Sequence, residues 1–242
     1  MKSLFSICAI AGLFMMFTPW ANAADGLPVP PYQARYEVYA SGFSIGEAVV
    51  TLAAAGSDGY QMRSDVQPNG LAALFASGRI QEQASGHIRN GVIQPDQYQR
   101  RLDTGRKYKQ MQADFDWPAG QMMARNDGEA ATLPLSLGIV DPLSLQLLVM
   151  SDLKRGQLPK QYRLVEKIAI KTYQIRNQGE EILETPLGPL RAVRINQYTP
   201  GKTRMTTLWI APELHYLVVR IAQEKSGKEE LRMELRSVER QR

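Results

Sequence analysis

Few side chains in this sequence have the types and spacing that catalysis or metal binding requires. After residue 23 there are two histidines, His87 and His215, and neither lies at metal-ligand spacing from a second histidine or a cysteine. Glu213 lies two residues before His215, and a carboxylate beside an imidazole is one pattern of a general base. The same residues are typical of a strand connection in which a turn histidine makes a local hydrogen bond. We therefore predict no metal site and no cofactor.

The sequence also gives little support for nucleophilic or acid–base catalysis. A serine nucleophile needs a strained turn and a histidine partner, and a phosphate-binding loop needs closely spaced glycines; we predict neither. Asp114 and Asp116 lie on one face of a predicted strand, which is common on solvated strands. The prediction is that the protein is not an enzyme. The alternative, an enzyme acting on polymeric envelope substrates, would need carboxylates such as Asp114 and Glu213.

Residues 1–23 have the pattern of a cleaved export signal. Lys2 precedes a short apolar run at residues 4–17, and Ala21-Asn22-Ala23 is a small-residue cleavage motif. We predict cleavage after Ala23, export to the periplasm, and one β-rich domain over residues 24–242 with no transmembrane anchor. Because the only cysteine, Cys8, lies in the apolar run, the mature chain would have no disulfide and no thiolate chemistry. We expect a monomer.

The chain is basic, with a formal net charge of +5 and a pI near 9.3. Its cations are spread over many predicted strands and alternate with apolar residues, which is also the pattern of an ordinary solvated surface. An exported protein is not expected to bind nucleic acid. Anionic lipid headgroups, lipopolysaccharide or an acidic protein face are the partners that this charge favours.

One segment predicts a helix with unusual clarity, from Pro142 to Arg155. Asp141 can cap its first free N–H groups, and Pro142 occupies a position where no N–H is needed. Lys154 and Arg155 suit the negative end of the helix dipole, and Gly156 suits the stop. The apolar residues cover most of the circumference at about 100° per residue, so the helix is expected to be surrounded. They are Leu143, Leu145, Leu147, Leu148, Val149, Met150 and Leu153.

The rest of the chain alternates apolar and polar residues in short segments that are separated by turn residues. Tyr36 and Val38, for example, alternate with Arg35 and Glu37. Closely spaced turns predict that neighbouring strands pair antiparallel as a meander. We therefore predict a mainly β fold: a strongly curved antiparallel sheet or open barrel of about a dozen strands that encloses one central helix.

Several short motifs, in order along the mature chain, resemble those of a known family. The resemblance is to the exported bacterial proteins grouped as domain of unknown function 3108. It implies a periplasmic β protein and supplies no catalytic residue. The predicted architecture is also similar to that of the periplasmic lipoprotein carriers, in which an incomplete antiparallel barrel wraps helices over an apolar cavity. The motifs are Tyr36-Glu37-Val38-Tyr39 with Gly46-Glu47-Ala48, Asp141-Pro142-Leu143-Ser144, Glu184-Thr185-Pro186-Leu187-Gly188 and Leu208-Trp209-Ile210-Ala211-Pro212.

These observations predict a non-catalytic periplasmic binding protein in envelope maintenance. It would hold a lipid, a lipoprotein acyl chain or an apolar segment of a partner inside the β wrap, because large β wraps often enclose an apolar cavity. The alternative is an interaction or regulatory protein with a fully packed core that docks on another envelope protein. The residues predicted to line an apolar site, which would otherwise be ordinary core, are Leu71, Leu74, Phe75, Leu147 and Met150.

Overall fold

The alternating segments form fifteen strands in the computed structural model, which describes residues 26–69 and 78–240. One helix, α1 (Pro142–Lys154), lies between the ninth and tenth strands, and a short 3-10 turn covers Pro212–Leu214. The strands are β1 (Tyr32–Ala40), β2 (Phe43–Ala55), β3 (Gly59–Pro68), β4 (Arg79–Arg89), β5 (Val92–Asp103), β6 (Tyr108–Asp116), β7 (Gln121–Asn126), β8 (Glu129–Pro134), β9 (Ile139–Val140), β10 (Gln161–Glu166), β11 (Ala169–Thr185), β12 (Gly188–Tyr198), β13 (Arg204–Ala211), β14 (Leu217–Lys225) and β15 (Lys228–Arg240).

All fifteen strands belong to one sheet, and the first and last strands pair near its middle. From β1 the order runs outward through β2 to β8 on one side, and through β15, β14 and so on to β9 on the other. We call these sides the first half and the second half. Every pair is antiparallel except β9 with β10. The two outermost strands, β8 and β9, are not bonded to each other, so the curved sheet is not closed into a barrel.

Helix α1 is the crossover that the single parallel pair requires, because parallel neighbours cannot be joined by a hairpin. It contacts β3, β4 and β5 of the first half and β10 of the second half. Leu143, Leu147 and Met150 belong to the larger apolar cluster, and Leu145 and Val149 belong to a smaller cluster of the second half. The helix therefore buries side chains on more than one face, as its sequence predicts.

Hairpins alternate between the two ends of a meander, so the pairings assign every turn to one of two ends. We call the end that holds turns 41–42, 104–107, 127–128, 167–168, 199–203 and 226–227 the rim end. The start of β15 lies beside the end of β1, so the turns of the two halves can be assigned to the same end of the sheet. The C-terminus of α1 lies at the opposite end, where Lys154 donates to the carbonyl of Pro28 and Arg155 donates to that of Gly91.

The mainly β class, the antiparallel meander and the isolated helix are confirmed, but the strand assignment needs correction. The sheet has fifteen strands instead of about a dozen, and the additional strands include β8 and β9, which lie in a segment whose leucine, proline and glycine residues are typical of a loop. Gln178-Gly179 has residues typical of a turn, but it forms a bulge inside β11, where the register shifts between Asn177 and Glu180. A hairpin turn at Lys167 was missed because Lys167 adopts a positive φ of 57° without glycine. The predicted export signal lies outside the described residues.

Candidate functional site

A cavity of about 440 Å³ opens at the rim end, next to the first turn of α1. Its walls come from both halves of the sheet, since β4, β5, β6 and β7 supply one side and β10, β11, β12 and β14 supply the other. The volume falls within the range of small-molecule sites, roughly 300 to 1,000 Å³. We call it the rim cavity. Its lining residues are Glu82, Tyr98, Arg100, Lys109, Gln110, Met111, Asn126, Asp127, Pro142, Leu164, Val165, Glu166, Lys167, Tyr173, Gln197 and Gln223.

The lining of the rim cavity combines apolar and charged groups. Pro142, Met111, Leu164 and Val165 supply the apolar part, and the last three belong to the two buried clusters. Leu164 and Val165 are consecutive in β10 and therefore lie on opposite faces of the strand, Leu164 in the smaller cluster and Val165 in the larger one. Both faces of β10 are thus buried at this point. The remaining lining is polar and is concentrated in strand ends and turns of the rim end. An apolar floor with a charged rim suits an amphiphilic ligand.

Each half of the sheet contributes a tyrosine bonded to a glutamate beside a cation. In the first half, Tyr98 donates to Glu82 with an O–O distance of 2.5 Å, and Arg100 Nε lies 3.7 Å from the same carboxylate. Both pairs follow from strand register, which sets Tyr98 opposite Ala84 and Glu82 opposite Arg100. The two groups of this half are therefore held by neighbouring strands and need no loop to position them.

The second half repeats this arrangement with different residues. Tyr173 donates to Glu166 at 2.7 Å, and Lys171 Nζ lies 2.9 Å from the same carboxylate oxygen. Tyr173 and Glu166 line the rim cavity, as Tyr98 and Glu82 do from the facing half. The rim cavity thus presents two hydrogen-bonded carboxylates and several cations, and it can offer both signs of charge to one headgroup.

The pKa directions agree with these contacts. Burial, followed by the charge of Glu82, raises the pKa of Tyr98 far above its ordinary value. Burial, followed by the hydrogen bond to Glu166, likewise raises the pKa of Tyr173. Burial alone would raise the pKa of Glu166, but hydrogen bonds from Tyr173 and Lys171 outweigh it and lower that pKa. Both tyrosines are therefore neutral donors at neutral pH, and Glu166 is ionised.

Below the rim cavity, a buried hydrogen-bond chain fixes the start of α1. The carboxylate of Asp141 accepts from the backbone N–H groups of Leu143 and Ser144, both at 2.9 Å. Ser144 Oγ lies 2.5 Å from Asp141 Oδ2 and 2.7 Å from the hydroxyl of Tyr60 on β3. An ionised carboxylate only accepts, so Ser144 donates to Asp141 and Tyr60 donates to Ser144.

The other polar residues on the helix are also used to dock it. Asp152 accepts from the hydroxyl of Tyr162 on β10 at 2.8 Å and from Arg155 at 2.6 Å. Ser151 accepts from Arg155 at 2.9 Å. Tyr60 belongs to the first half of the sheet and Tyr162 to the second. The polar residues Ser144 and Asp152 therefore hydrogen-bond α1 to both halves.

Asp141 predicts an unusual pH dependence of stability. Burial raises its pKa from 3.8 to about 6 in the folded protein, although the hydrogen bonds from Ser144 and Leu143 act in the opposite direction. The folded state therefore binds a proton that the unfolded state does not bind, and stability rises as the pH falls through 6 towards 4. We expect a gain of roughly 1 to 1.5 kcal/mol between about pH 8 and about pH 5, measured by urea unfolding.

The control for this prediction is Asp141→Asn, which cannot titrate. The difference between its pH profile and that of the wild type isolates Asp141 from other groups. Glu37, Asp65 and Glu166 have lowered pKa values, so their contribution is lost only at more acid pH. Parallel profiles of wild type and Asp141→Asn between about pH 5 and about pH 8 would contradict the raised pKa.

The predicted apolar lining residues divide into two sets. Leu147 and Met150 are fully buried, with 0% and 1% of their surface exposed, and both pack in the larger apolar cluster together with side chains of the strands. Leu71, Leu74 and Phe75 lie outside the described residues. The residues of the rim cavity were not selected from the sequence. A usable signal was present in the sequence. Glu82 lies on the apolar strand face that runs from Ile80 to Ile88, and Glu166 ends the strand face that Tyr162 and Leu164 form.

The residues considered as catalytic candidates lie in separate parts of the structure. His87 pairs with Asp96 at 2.7 Å, Asp114 pairs with Arg125 at 2.8 Å, and His215 is exposed in a left-handed conformation after the 3-10 turn. In the part of the chain that the structure describes, no three His, Cys, Asp or Glu side chains group as metal ligands. Within residues 26–69 and 78–240, no helix has the length and apolar character needed to cross a membrane.

One catalytic motif was overlooked in the sequence. Gly42-Phe43-Ser44-Ile45-Gly46 has the Gly-x-Ser-x-Gly spacing of a nucleophile elbow. The motif does not form an elbow here, because it lies in a hairpin at the start of β2 and no helix follows. The Ser44 hydroxyl instead bonds Glu37, and this bond is the leading cause of the lowered pKa of that carboxyl.

One solved structure of similar fold agrees with this architecture. The chain is similar to a β-barrel-like protein of domain of unknown function DUF1849 from Brucella abortus, with a TM-score of 0.61 and 11% identity over 88% of this chain and 99% of that one. A candidate exported protein with a YmcC-like fold from Bacteroides fragilis has a TM-score of 0.40 and 14% identity, over 90% of this chain and 100% of that one. No curated protein sequence matches the chain. Residues 35–236 match the model of the family described as proteins of unknown function, DUF3108, and the chain belongs to that family, as its motifs predict.

Proposed function

We propose that the protein is a non-catalytic binding protein of the periplasm that holds an amphiphilic lipid or acyl-bearing ligand in the rim cavity. The observation that carries this proposal is the rim cavity itself, which both halves of the sheet build and which combines an apolar floor with charged walls. Glu82 and Glu166, each bonded to a tyrosine and close to a cation, would bind the polar part of the ligand.

In this account α1 is the central plug of an open barrel. Its buried leucines fill the space between the two halves of the sheet, and its bonds to Tyr60 and Tyr162 hold it there. At the first turn of the helix, Pro142 borders the free volume of the rim cavity. A guest would therefore enter at the rim end and rest against the N-terminal turn of α1.

The location in the periplasm rests on the leader-like sequence of residues 1–23. A role in envelope maintenance follows from the combination of that location with an amphiphile-sized cavity. Processing after Ala23 is tested by N-terminal sequencing of the protein recovered from the periplasmic fraction of a producing cell.

Native mass spectrometry combined with lipid extraction tests the binding function. The protein, purified without detergent from cells that export it, should carry an adduct in the mass range of a lipid or fatty acid, and extraction should release it. The protein refolded from denaturant should lack the adduct and regain it when it is incubated with the extract. A single apo mass in both preparations, together with no uptake from the extract, would refute the proposal.

A second function, docking on another envelope protein, is favoured by one feature of the second half of the sheet. Trp209 on β13 lies between the guanidinium groups of Arg194 and Arg220, each 5.6 Å from its ring, and its indole N–H donates to Glu181 at 2.5 Å. Tryptophan and arginine are enriched at interface hot spots. If this face is the functional one, a pull-down should return one stoichiometric partner that Trp209→Ala loses.

A further inference from the structure

Six exposed cations are gathered in four turns of the rim end. The turns at 104–107, 167–168, 199–203 and 226–227 contain or adjoin them. The carboxylates in or next to the described rim-end turns are those of Asp103, Asp127, Glu129 and Glu166; Asp127 lies 3.8 Å from Lys109, and Glu166 lies 2.9 Å from Lys171. None of the six forms an ion pair with another described residue. They are Arg106, Lys107, Lys167, Lys202, Lys225 and Lys228.

The opposite end differs in charge. Its turns at 56–58, 155–160 and 212–216 hold Asp58 and Glu213 as well as Arg155 and Lys160, so that the signs balance. Arg155 is also neutralised by Asp152 at 2.6 Å. Among the described residues, the turns of the rim end therefore carry more cations without an ion pair than the turns of the opposite end do.

The hairpin of β14 and β15 adds an independent observation. Lys225 and Lys228 are directly paired across the strands, next to the turn at 226–227. Like charges at directly opposed positions destabilise a hairpin. The two lysines repel each other in the free protein, and an external anion bound between them would relieve this repulsion. The hairpin tip is therefore suited to binding an anion.

Apolar side chains accompany these cations. Phe43, at the turn between β1 and β2, is 76% exposed, and Tyr108, next to the turn at 104–107, is 59% exposed. Aromatic rings with neighbouring lysines are the composition of a surface that rests on the headgroup layer of a membrane. A soluble acidic protein would pair with the cations but would leave the exposed Phe43 unexplained.

We propose that the rim end docks on an anionic lipid surface. In the docked state, the cations of the four turns lie against the headgroups and Phe43 inserts into the interfacial layer. The inference deepens the proposed function and rests on it, because docking at this end turns the mouth of the rim cavity towards the membrane that would supply or receive the ligand. Docking itself needs no ligand in the cavity, so the two proposals can fail separately.

Vesicle co-sedimentation tests the docking surface. The purified protein should bind vesicles of phosphatidylglycerol and phosphatidylethanolamine, should not bind vesicles of phosphatidylcholine alone, and should be released by salt because the cations are exposed. The triple variant Lys107→Gln, Lys225→Gln, Lys228→Gln should lose roughly 100-fold in partition coefficient, at about fivefold per cation. Phe43→Ser should lose roughly tenfold without a change in net charge.

The matched control is Arg63→Gln, Arg89→Gln, Lys160→Gln. These three cations are also exposed, form no ion pair with another described residue, and lie away from the rim end. The control variant should bind within about threefold of the wild type, apart from the general effect of net charge. If the wild type does not bind the anionic vesicles, or if the control variant loses as much affinity as the triple variant, the proposal of a lipid-docking surface is wrong. Retention by an acidic envelope protein without vesicle binding would also overturn it and would assign a protein partner.

Discussion

Replacing Asp141 with alanine is expected to lower the free energy of unfolding by about 2 to 5 kcal/mol at mildly acid pH. The change removes the N-cap of α1, worth about 0.5 to 2 kcal/mol, and leaves buried polar groups unpaired, at about 1 to 3 kcal/mol each. The groups that lose their acceptor are the Ser144 hydroxyl and the backbone N–H groups of Leu143 and Ser144, and the Ser144 hydroxyl is also the partner of Tyr60. Urea unfolding followed by circular dichroism measures the effect.

The loss should be smaller above the pKa of Asp141. In that range alanine also removes a buried charge whose desolvation already costs the folded state free energy, as the raised pKa shows. Asp141→Asn should lose less than Asp141→Ala, since the amide still accepts from the backbone. Asp58→Ala, in the turn between β2 and β3, is the surface control and should change stability by less than about 0.5 kcal/mol. An equal loss of unfolding free energy in Asp58→Ala and Asp141→Ala would contradict the role of Asp141 as the N-cap of α1.

Leu147→Ala is the second substitution with a large expected effect. The side chain is completely buried between α1 and the strands, so its truncation should cost about 2 to 5 kcal/mol of unfolding free energy. The control is Leu137→Ala, because Leu137 is 57% exposed in the connection before β9 and should contribute little.

The same variant also tests the prediction that Leu147 and Met150 line an apolar site. If α1 only fills the barrel, Leu147→Ala should reduce stability while the affinity for a fluorescent fatty acid stays within about threefold of the wild type. A loss of stability below about 1 kcal/mol, with a clear loss of affinity, would show that Leu147 faces a guest instead of the core.

The sequence predicted those parts of the fold that local chemistry determines. Asp141-Pro142 marks the start of α1, and the cap occurs there with the expected bonds. Alternation in segments such as Tyr32 to Ala40 identified strands whose buried residues are the alternate ones. Turn residues such as Asn90-Gly91 separated them correctly, because a type of turn that needs positive φ favours asparagine and glycine.

Other features depend on contacts between distant residues and were therefore missed. The pairing of β1 with β15 joins the two ends of the described chain, and no local pattern encodes it. β9 has two residues and exists only because β10 lies beside it. The rim cavity brings Glu82 close to the side of the sheet that holds Glu166, although 84 residues separate them in the sequence. Apolar runs drew attention to the core, whereas the candidate site is defined by carboxylates on apolar strand faces.

The most direct test of the binding function is to fill the rim cavity. Met111→Trp adds an indole where Met111 borders the cavity floor, while Met123→Trp adds the same group on the outer face of the neighbouring strand β7. The measurement is the titration of each folded protein with a fluorescent fatty acid. We predict that Met111→Trp weakens binding at least about tenfold and that Met123→Trp leaves it unchanged. Equal affinity of the wild type and Met111→Trp, or no binding by the wild type, would contradict the account.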